Sequence, residues 1–299
     1  MTTLVKRQHY VSRFYLKNWL SKSNGKIKVY NKKNNKEYFC TDLNSISQER
    51  FFYELHITQN VFDLILSRYY TKALNNPFLK EFIELSNILL KLNEYQNDKN
   101  HNYENTKVIN KNVLEKEYSK IEYVISNVVN QINNDLNTYL HELKKNPKKS
   151  LALIELFNIQ FYRTKQMREK LNDIIKKLFV KKDNIEKELS DDETIAFFKI
   201  MQYLDPLIES QKIIENGFSI ELIKNNTENN FITSNSPAII DKVDSKYMGF
   251  MPITPSVFLI VQFQTTVKKF NYREINDTIT VNALNSKIYE NSDEIYTIE

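Results

Sequence analysis

The sequence is poor in cysteine, glycine and proline, and each scarcity excludes a class of structure. Cys40 is the single cysteine, so an internal disulfide and a cysteine-ligated zinc site are both excluded. Three glycines, far apart in 299 residues, leave no glycine-rich phosphate loop, which excludes a Walker or Rossmann nucleotide site. So few glycines, with only six prolines, predict long helices and few tight turns.

Long apolar runs are also missing. No run approaches the roughly 20 residues of a membrane span, and the first seven residues lack the apolar core of a signal peptide. With one cysteine, this composition predicts a soluble protein of the reducing cytoplasm that has no membrane partner. The formal net charge of +5 permits contact with nucleic acid or a nucleotide without requiring it.

Both ends of the chain carry strand patterns. Residues 26–30 alternate polar and apolar side chains, and residues 36–40 can return beside them, which predicts a hairpin. Further strands are predicted at residues 230–234, 238–240 and 257–261. Pro252 and Pro255 make the piece between them an edge or a loop. A closing strand is predicted at 294–298, after a helix at 274–290.

The middle of the chain is patterned as helices. Residues 60–74 and 78–92 predict two helices. A seam that repeats every 3.5 residues then predicts a long helix, through Leu114, Tyr118, Ile121, Ile125, Val128 and Ile132. That helix is expected to stop at Asn146, and a second long helix to extend from about Ser150 to Leu178.

A third helix is predicted over about 191–215, between an N-cap at Ser190 and an end at Gly217. The whole pattern predicts one α+β domain, mostly helical. A small sheet is built from the N- and C-terminal segments, and a bundle of long helices is inserted between them. Its expected parts are an N-terminal helix and hairpin (residues 1–56), a helical bundle (57–217), and C-terminal strands with a helix (218–299).

The run from Gln8 to Trp19 concentrates chemistry at the start of the chain. It holds a histidine, an arginine, an asparagine and four aromatic residues within twelve positions. On a helix, His9 and Arg13 stand four apart and share one face. A titratable ring beside a fixed cation can form an anion or phosphate site. The alternative is an amphipathic helix that only docks onto the core.

Gln160, Arg163 and Thr164 share one face of the second long helix, at a point where the apolar pattern predicts burial. A buried guanidinium needs a carboxylate, a phosphate or several carbonyl groups as partner. Arg163 is therefore either a ligand-binding residue or half of an internal ion pair.

Thr233, Ser234 and Asn235 lie where a predicted strand ends in a turn. Such strand ends often line sites, whereas the same residues can simply close a turn on their own backbone. Arg50 and His56 match the arginine–histidine spacing of one class of helical ribonucleases only loosely, at a frequency that composition gives by chance.

Metal and cofactor chemistry receive no support from the sequence. The four histidines form no H-x-H or H-E-x-x-H pattern, so no metal ligand and no cofactor is assigned. A metal site made of carboxylates alone stays open, because the 37 acidic residues are too many to pair by eye.

Three segments resemble the bacterial and phage-borne family catalogued as domain of unknown function 4238. Residues 9–18 are similar to its opening H-Y-V-P-x-F-Y-L-x-x-F, and residues 160–164 to its Q-x-x-R-T. Residues 231–237 and 251–255 resemble its F-I-T-S-D-N-P and the P-L-S-P that follows, and the closing segment fits as well. Two positions depart from the family pattern: Ser12 replaces a proline, and Asn235 replaces an aspartate. An amide cannot act as a general base, although it can cap a turn.

The resemblance implies a role in defence against bacteriophage, to which some members are linked. We hypothesise that the three segments converge on one pocket, in which His9 titrates and Arg13 and Arg163 hold a phosphate or carboxylate. The residues expected to orient the substrate are Tyr15, Gln160, Thr164, Thr233, Ser234 and Asn235.

This pocket would suit an intracellular effector that acts as a metal-independent nuclease or nucleotide-processing enzyme. Two alternatives stay open. One is a non-catalytic module that senses a phage component or nucleic acid, with a phage protein as trigger. The other is a structural protein that forms homo-oligomers through its long helices.

Overall fold

A computed structural model describes residues 6–96, 103–146, 149–171, 173, 189–263 and 268–298. The fold is α+β and mostly helical, which confirms the predicted class. The helices are α1 (Arg13–Leu16), α2 (Gln59–Ala73), α3 (Pro77–Gln96), α4 (Tyr103–Asn134), α5 (Leu136–Lys145), α6 (Ser150–Tyr162), α7 (Asp191–Asn216) and α8 (Thr278–Glu290). Residues 165–171 are also helical.

The strands are β1 (Arg7–His9), β2 (Ile27–Asn31), β3 (Lys36–Cys40), β4 (Gln48–Arg50), β5 (Ser219–Asn225), β6 (Thr233–Ser234), β7 (Ile239–Val243), β8 (Lys246–Thr254), β9 (Val257–Gln262), β10 (Lys269–Ile275) and β11 (Glu294–Thr297). Strands β1 and β4 pair with each other. In the described part of the chain, no helix has both the length and the apolar character needed to cross a membrane.

The four-stranded sheet joins the two ends of the chain, in the order β3-β2-β11-β6. Val29 of β2 pairs with Tyr38 of β3 on one side and with Tyr296 of β11 on the other. Tyr296 in turn lies opposite Thr233 of β6. The predicted hairpin, the predicted closing strand and the sheet built from both ends are therefore confirmed.

The five-stranded sheet has the order β10-β5-β9-β8-β7, with β10 parallel to β5 and the remaining pairs antiparallel. It packs with α8 around a buried apolar cluster that includes Ile223, Phe231, Phe258 and Leu284. The pattern did not predict β5 and β10 as strands. The cluster gives a reason for their formation, because Ile223 of β5 and Ile275 of β10 are buried in it.

The piece between Pro252 and Pro255 is predicted as an edge or a loop, and the structure places it at a local edge. Pro252 and Thr254 end β8 and pair with β9, whereas the pairing of β8 with β7 stops at Phe250. Proline lacks the N–H group that a central strand normally donates, so an edge position tolerates it. Pro255 lies in the turn that leads to β9.

The predicted helices at 60–74, 78–92 and 191–215 are confirmed as α2, α3 and α7. Ser190 and Glu193 form a reciprocal cap: Ser190 Oγ accepts from the Glu193 N–H at 3.2 Å, and Glu193 Oε2 accepts from the Ser190 N–H at 2.9 Å. Gly217 follows α7 with φ +113°, a conformation that favours glycine.

Both predicted long helices are interrupted. Asp135 separates α4 from α5, and its carboxylate accepts from the Thr138 N–H at 3.0 Å, which starts a new helix. The second long helix ends at Tyr162 and resumes at 165–171. The end predicted at Leu178 lies outside the described residues.

The chain divides into two compact units. The first unit comprises Met1–Gln8, Glu49–Ser119 and Lys165–Asp205, and contains α2 and α3. The second unit comprises His9–Gln48, Lys120–Thr164 and Pro206–Glu299, and contains the four-stranded and five-stranded sheets. The domain boundaries expected after residues 56 and 217 stay predictions.

Replacement of Gly249 by alanine should destabilise the second unit. A Cβ on Gly249 of β8 would overlap the ring of Phe157 on α6. We expect Gly249→Ala to lower the free energy of unfolding by about 1–3 kcal/mol, measured by urea denaturation. Combined with Phe157→Leu, it should cost less than the sum of the single changes, because the ring that blocks the methyl group is gone.

Gly25 is the matched control for this experiment. Its φ is +67°, and among the described residues no atom beyond its chain neighbours lies within 4 Å of an added Cβ, so Gly25→Ala has a conformational cost but no steric one. Its effect should therefore add to that of Phe157→Leu. Additive effects of Gly249→Ala and Phe157→Leu would contradict the steric explanation.

Candidate functional site

The segments that carry the family resemblance meet in the second unit. Ser12, the N-cap of α1, makes buried hydrogen bonds with the end of α6, and Tyr15 of α1 makes them with β6 and β8. Ser12 and Tyr15 lie one helical turn apart. The short helix α1 therefore connects two separate polar clusters.

Arg163 lies at the centre of the first cluster, where α6 ends. Its side chain is 2% exposed. Nη1 donates to Ser12 Oγ at 3.0 Å and to the carboxylate of Glu122 on α4, and Nη2 donates to the backbone carbonyl of His9 at 2.6 Å. Of the partners that the sequence left open, the structure supplies a carboxylate from the chain itself.

Ser12 Oγ is shared by three side chains. It donates to Glu122 Oε1 at 2.8 Å and accepts from Gln160 Nε2 at 2.9 Å and from Arg163. A hydroxyl group has one donor and two acceptor positions, so these contacts use its full capacity. Gln160 Oε1 is buried and has no hydrogen-bond partner among the described residues.

The His9 ring faces a different partner. His9 is buried, and its Nε2 lies 3.0 Å from the carbonyl of Leu43, so the ring donates there. Burial lowers the pKa of His9, and the positive charges of Arg13 and Arg163 lower it further, against the opposing effect of the Leu43 bond. At neutral pH the imidazole is therefore uncharged. Arg13 itself is exposed.

The second cluster joins α1 to β6 and β8. The Tyr15 hydroxyl lies 2.6 Å from Thr233 Oγ1 and donates to the Pro252 carbonyl at 2.7 Å. Tyr15 and Thr233 are fully buried, and burial raises the pKa of Tyr15. A neutral phenol held in this way positions the two strands relative to α1.

Ser234 and Asn235 close a turn. Ser234 Oγ accepts from the Ser236 N–H at 3.1 Å and from Ser292 Oγ at 2.7 Å. Asn235 Oδ1 accepts from the N–H groups of Asp293 and Glu294, each at 3.2 Å. An amide oxygen accepts these bonds as well as a carboxylate does, so the departure from the family aspartate preserves the turn.

The remaining predicted residues have local contacts. Thr164 Oγ1 donates to the Phe161 carbonyl at 3.4 Å, just after α6. Arg50 ends β4 and His56 lies in exposed coil, so the loosely matched ribonuclease spacing is not on a helix. The structure thus brings Arg163, Gln160 and the His9 backbone together, and it turns the His9 ring and Asn235 to other partners. Their roles in catalysis and substrate binding stay predictions.

Two acidic residues were missed by sequence reasoning. Glu122 carried no signal, because its partner Arg163 lies 41 positions away. Glu155 did carry a signal in the sequence, since it is the single charged residue in the apolar run 151–157. It is half-buried in α6, burial raises its pKa to about 7, and it has no ion-pair partner among the described residues. A carboxyl group that titrates near neutral pH suits acid–base chemistry.

The buried ion pair should be tested by a double-mutant cycle. We expect Arg163→Met and Glu122→Met each to lower the free energy of unfolding by about 3 kcal/mol, because each leaves a desolvated charge without its partner. The double variant should lose less than the sum. Urea denaturation gives all three values.

Lys28→Met is the matched control for that cycle. The Lys28–Glu37 pair lies at 2.9 Å with side chains 36% and 56% exposed, and such surface pairs contribute about 1 kcal/mol or less. If Arg163→Met cost no more than Lys28→Met, Arg163 would not be a structural residue.

The free energy of unfolding should depend on pH through Glu155. Its folded-state pKa lies above that of an unfolded glutamate, so the folded state holds the proton more tightly. The proton on Glu155 therefore contributes fully to the free energy of unfolding below about pH 4.5, and this contribution is lost as the pH rises toward 7. The free energy of unfolding of Glu155→Gln should exceed that of wild type by about 2–3 kcal/mol at pH 8 and should equal it at pH 4. Exposed Glu228→Gln is the control, and an equal gain in both variants would contradict this assignment.

No three His, Cys, Asp or Glu side chains among the described residues are grouped so that they could hold a metal ion.

Comparisons with known proteins give one match. No curated protein and no solved structure matches the chain. A family model described as "Protein of unknown function (DUF4238)" matches residues 7–297, nearly the whole chain. The chain therefore belongs to the DUF4238 family.

Proposed function

We propose that the protein acts inside the bacterial cell in defence against bacteriophage, and that it does so as a binding module. In this proposal the segments that mark the family form a rigid frame, and a surface elsewhere recognises the partner. In the nuclease alternative, residues of these same segments carry out catalysis. Substitutions of these residues can therefore distinguish the binding module from the nuclease.

The observation that carries the proposal is the pairing of Arg163 with Glu122. An arginine that holds a substrate phosphate must present its donors to that phosphate. Arg163 is 2% exposed and already holds a carboxylate, a hydroxyl and a backbone carbonyl. A phosphate would have to displace Glu122, which would leave a second negative charge beside it.

The state of His9 gives further support. A general acid–base histidine needs a proton that it can exchange with the substrate, and an ideal pKa near the working pH. The His9 ring is buried, its pKa is lowered by that burial, and its Nε2 is committed to the Leu43 carbonyl. These properties favour a fixed, neutral, structural imidazole.

The decisive experiment is a plaque assay with bacteria that express the full chain. We expect His9→Gln to protect as well as wild type, because glutamine can still donate to the Leu43 carbonyl and cannot titrate. Arg163→Met should lose protection together with folded protein, seen as a lower thermal midpoint and less soluble protein. Exposed Arg13→Gln is the matched control for loss of a charge.

The enzyme alternative has its own outcome. If His9→Gln kept the wild-type thermal midpoint but lost protection, His9 would take part in chemistry and the binding proposal would be overturned. Two partner predictions remain: a phage protein that acts as trigger, and homo-oligomers that assemble through the long helices. Size-exclusion chromatography with and without phage lysate tests the assembly directly.

A further inference from the structure

A turn in the first unit, residues 50–54, carries aromatic and charged side chains and is firmly fixed. Gln8 is fully buried, accepts from the Tyr53 N–H at 2.6 Å through Oε1 and donates to the Lys111 carbonyl at 2.6 Å through Nε2. Phe51 has φ +54°, a left-handed conformation that is unusual for a bulky residue. Such strain is often kept at functional sites.

Two cations meet at this turn. Arg168 Nη2 donates to the Phe52 carbonyl at 3.2 Å, and Lys199 Nζ donates to the Glu54 carbonyl at 2.6 Å. The Arg168 guanidinium also lies over the Phe52 ring, 3.6 Å from its centroid. Because the two carbonyls are only two residues apart, both positive groups are held at the same turn.

Among the described residues, neither cation has the direct hydrogen bond to a carboxylate that Arg163 has. The Arg168 side chain is 19% exposed, the nearest Glu49 oxygen is 4.0 Å from its Nη1, and its Nε is buried without a partner among the described residues. Burial, and then the charge of Arg168, lower the pKa of Lys199 to about 8, although Glu54, Glu49 and Asp192 oppose this. Two desolvated positive charges side by side are costly unless an anion joins them.

The rim of the turn is also basic. Arg50 and Lys111 both lie over the Phe51 ring, 4.9 Å and 4.2 Å from its centroid. Lys165 pairs with Glu49 at 2.9 Å, and Lys111 lies 3.8 Å from Glu54. Positive groups therefore exceed the carboxylates that touch them, which favours a negatively charged ligand.

We propose that Arg168 and Lys199, with Arg50 and Lys111 at the rim, bind a phosphate group carried by a nucleic-acid strand or by a free nucleotide. A planar guanidinium and an ammonium can donate to separate phosphate oxygens. Aromatic side chains beside cations are typical of surfaces that bind single strands. The site lies in the first unit and shares no residue with the clusters around Arg163 and Tyr15.

The first test compares thermal midpoints in inorganic phosphate and in chloride at equal ionic strength. We expect phosphate to raise the midpoint of wild type more than that of Lys199→Gln or Arg168→Gln. Phosphate stabilises many proteins by exclusion from their surface, and that general effect is the same in all variants. Lys246→Gln, an exposed charge loss in β8, should keep the full wild-type shift.

The second test identifies the source of the phosphate by fluorescence anisotropy with labelled 15-mer DNA and RNA strands and with a labelled adenosine monophosphate. Binding of a strand at low salt, at least tenfold weaker in Lys199→Gln, supports the site and assigns it to nucleic acid. Binding of the mononucleotide alone supports the site and assigns it to free nucleotides. For strands, the lost contact should also reduce the salt dependence of binding.

Two variants keep the test decisive if the buried ones misfold. Lys199→Arg retains the charge and should bind like wild type, and exposed Arg50→Gln should fold normally and bind about threefold more weakly. The proposal is overturned if no probe binds wild type, or if folded Lys199→Gln and Arg50→Gln bind as wild type does. Neither result bears on the defence role, which is read out by His9→Gln in cells.

Discussion

The second unit depends on one buried ion pair, between Arg163 and Glu122. It joins the end of α6 to α4, and through Ser12 and the His9 carbonyl it also fixes the start of α1. A guanidinium that is 2% exposed cannot shed its charge, so every group around it must satisfy it. The removal of one partner of such a pair is far more costly than its replacement by apolar groups. The geometry of α1, and with it the contacts of Tyr15 with β6 and β8, therefore follows from this pair.

Each unit contains a largely buried arginine, and the two arginines have different partners for their positive charge. Arg163 and Arg168 both follow α6 closely in sequence and both lie largely buried. Arg163 receives a carboxylate, whereas Arg168 receives the Phe52 carbonyl, an aromatic ring and a carboxylate oxygen at 4.0 Å. Lys199 adds a second cation beside Arg168. A satisfied arginine holds a structure together, and an under-satisfied one next to another cation retains donors for an anion. This difference is why the frame and the binding surface are assigned to different arginines.

The fold was largely predictable because its patterns are local. Alternation in 26–30 and 36–40 predicted β2 and β3, and Ser190 with Gly217 predicted both ends of α7. The errors arose where distant packing decides the structure: β5 and β10 form strands that place Ile223 and Ile275 in the core of the five-stranded sheet. The partner of Arg163 was not predictable, since nothing in the sequence around Glu122 indicates a position 41 residues away. Glu155 and Lys199 were predictable in principle, because each is a lone charge in an apolar run.

The two departures from the family pattern show what kind of constraint acts on the frame. Ser12 accepts from Arg163 and Gln160 and donates to Glu122, so a polar side chain here adds bonds that a proline could not make. Asn235 keeps the two bonds to the 293–294 backbone that a carboxylate would accept. At both positions the oxygen of the new side chain has hydrogen-bond partners, whereas an amide is not a general base. A frame tolerates such exchanges as long as the exchanged side chain finds partners for its own buried donors and acceptors. A reaction centre that used the family aspartate as its base would lose activity on the change to asparagine.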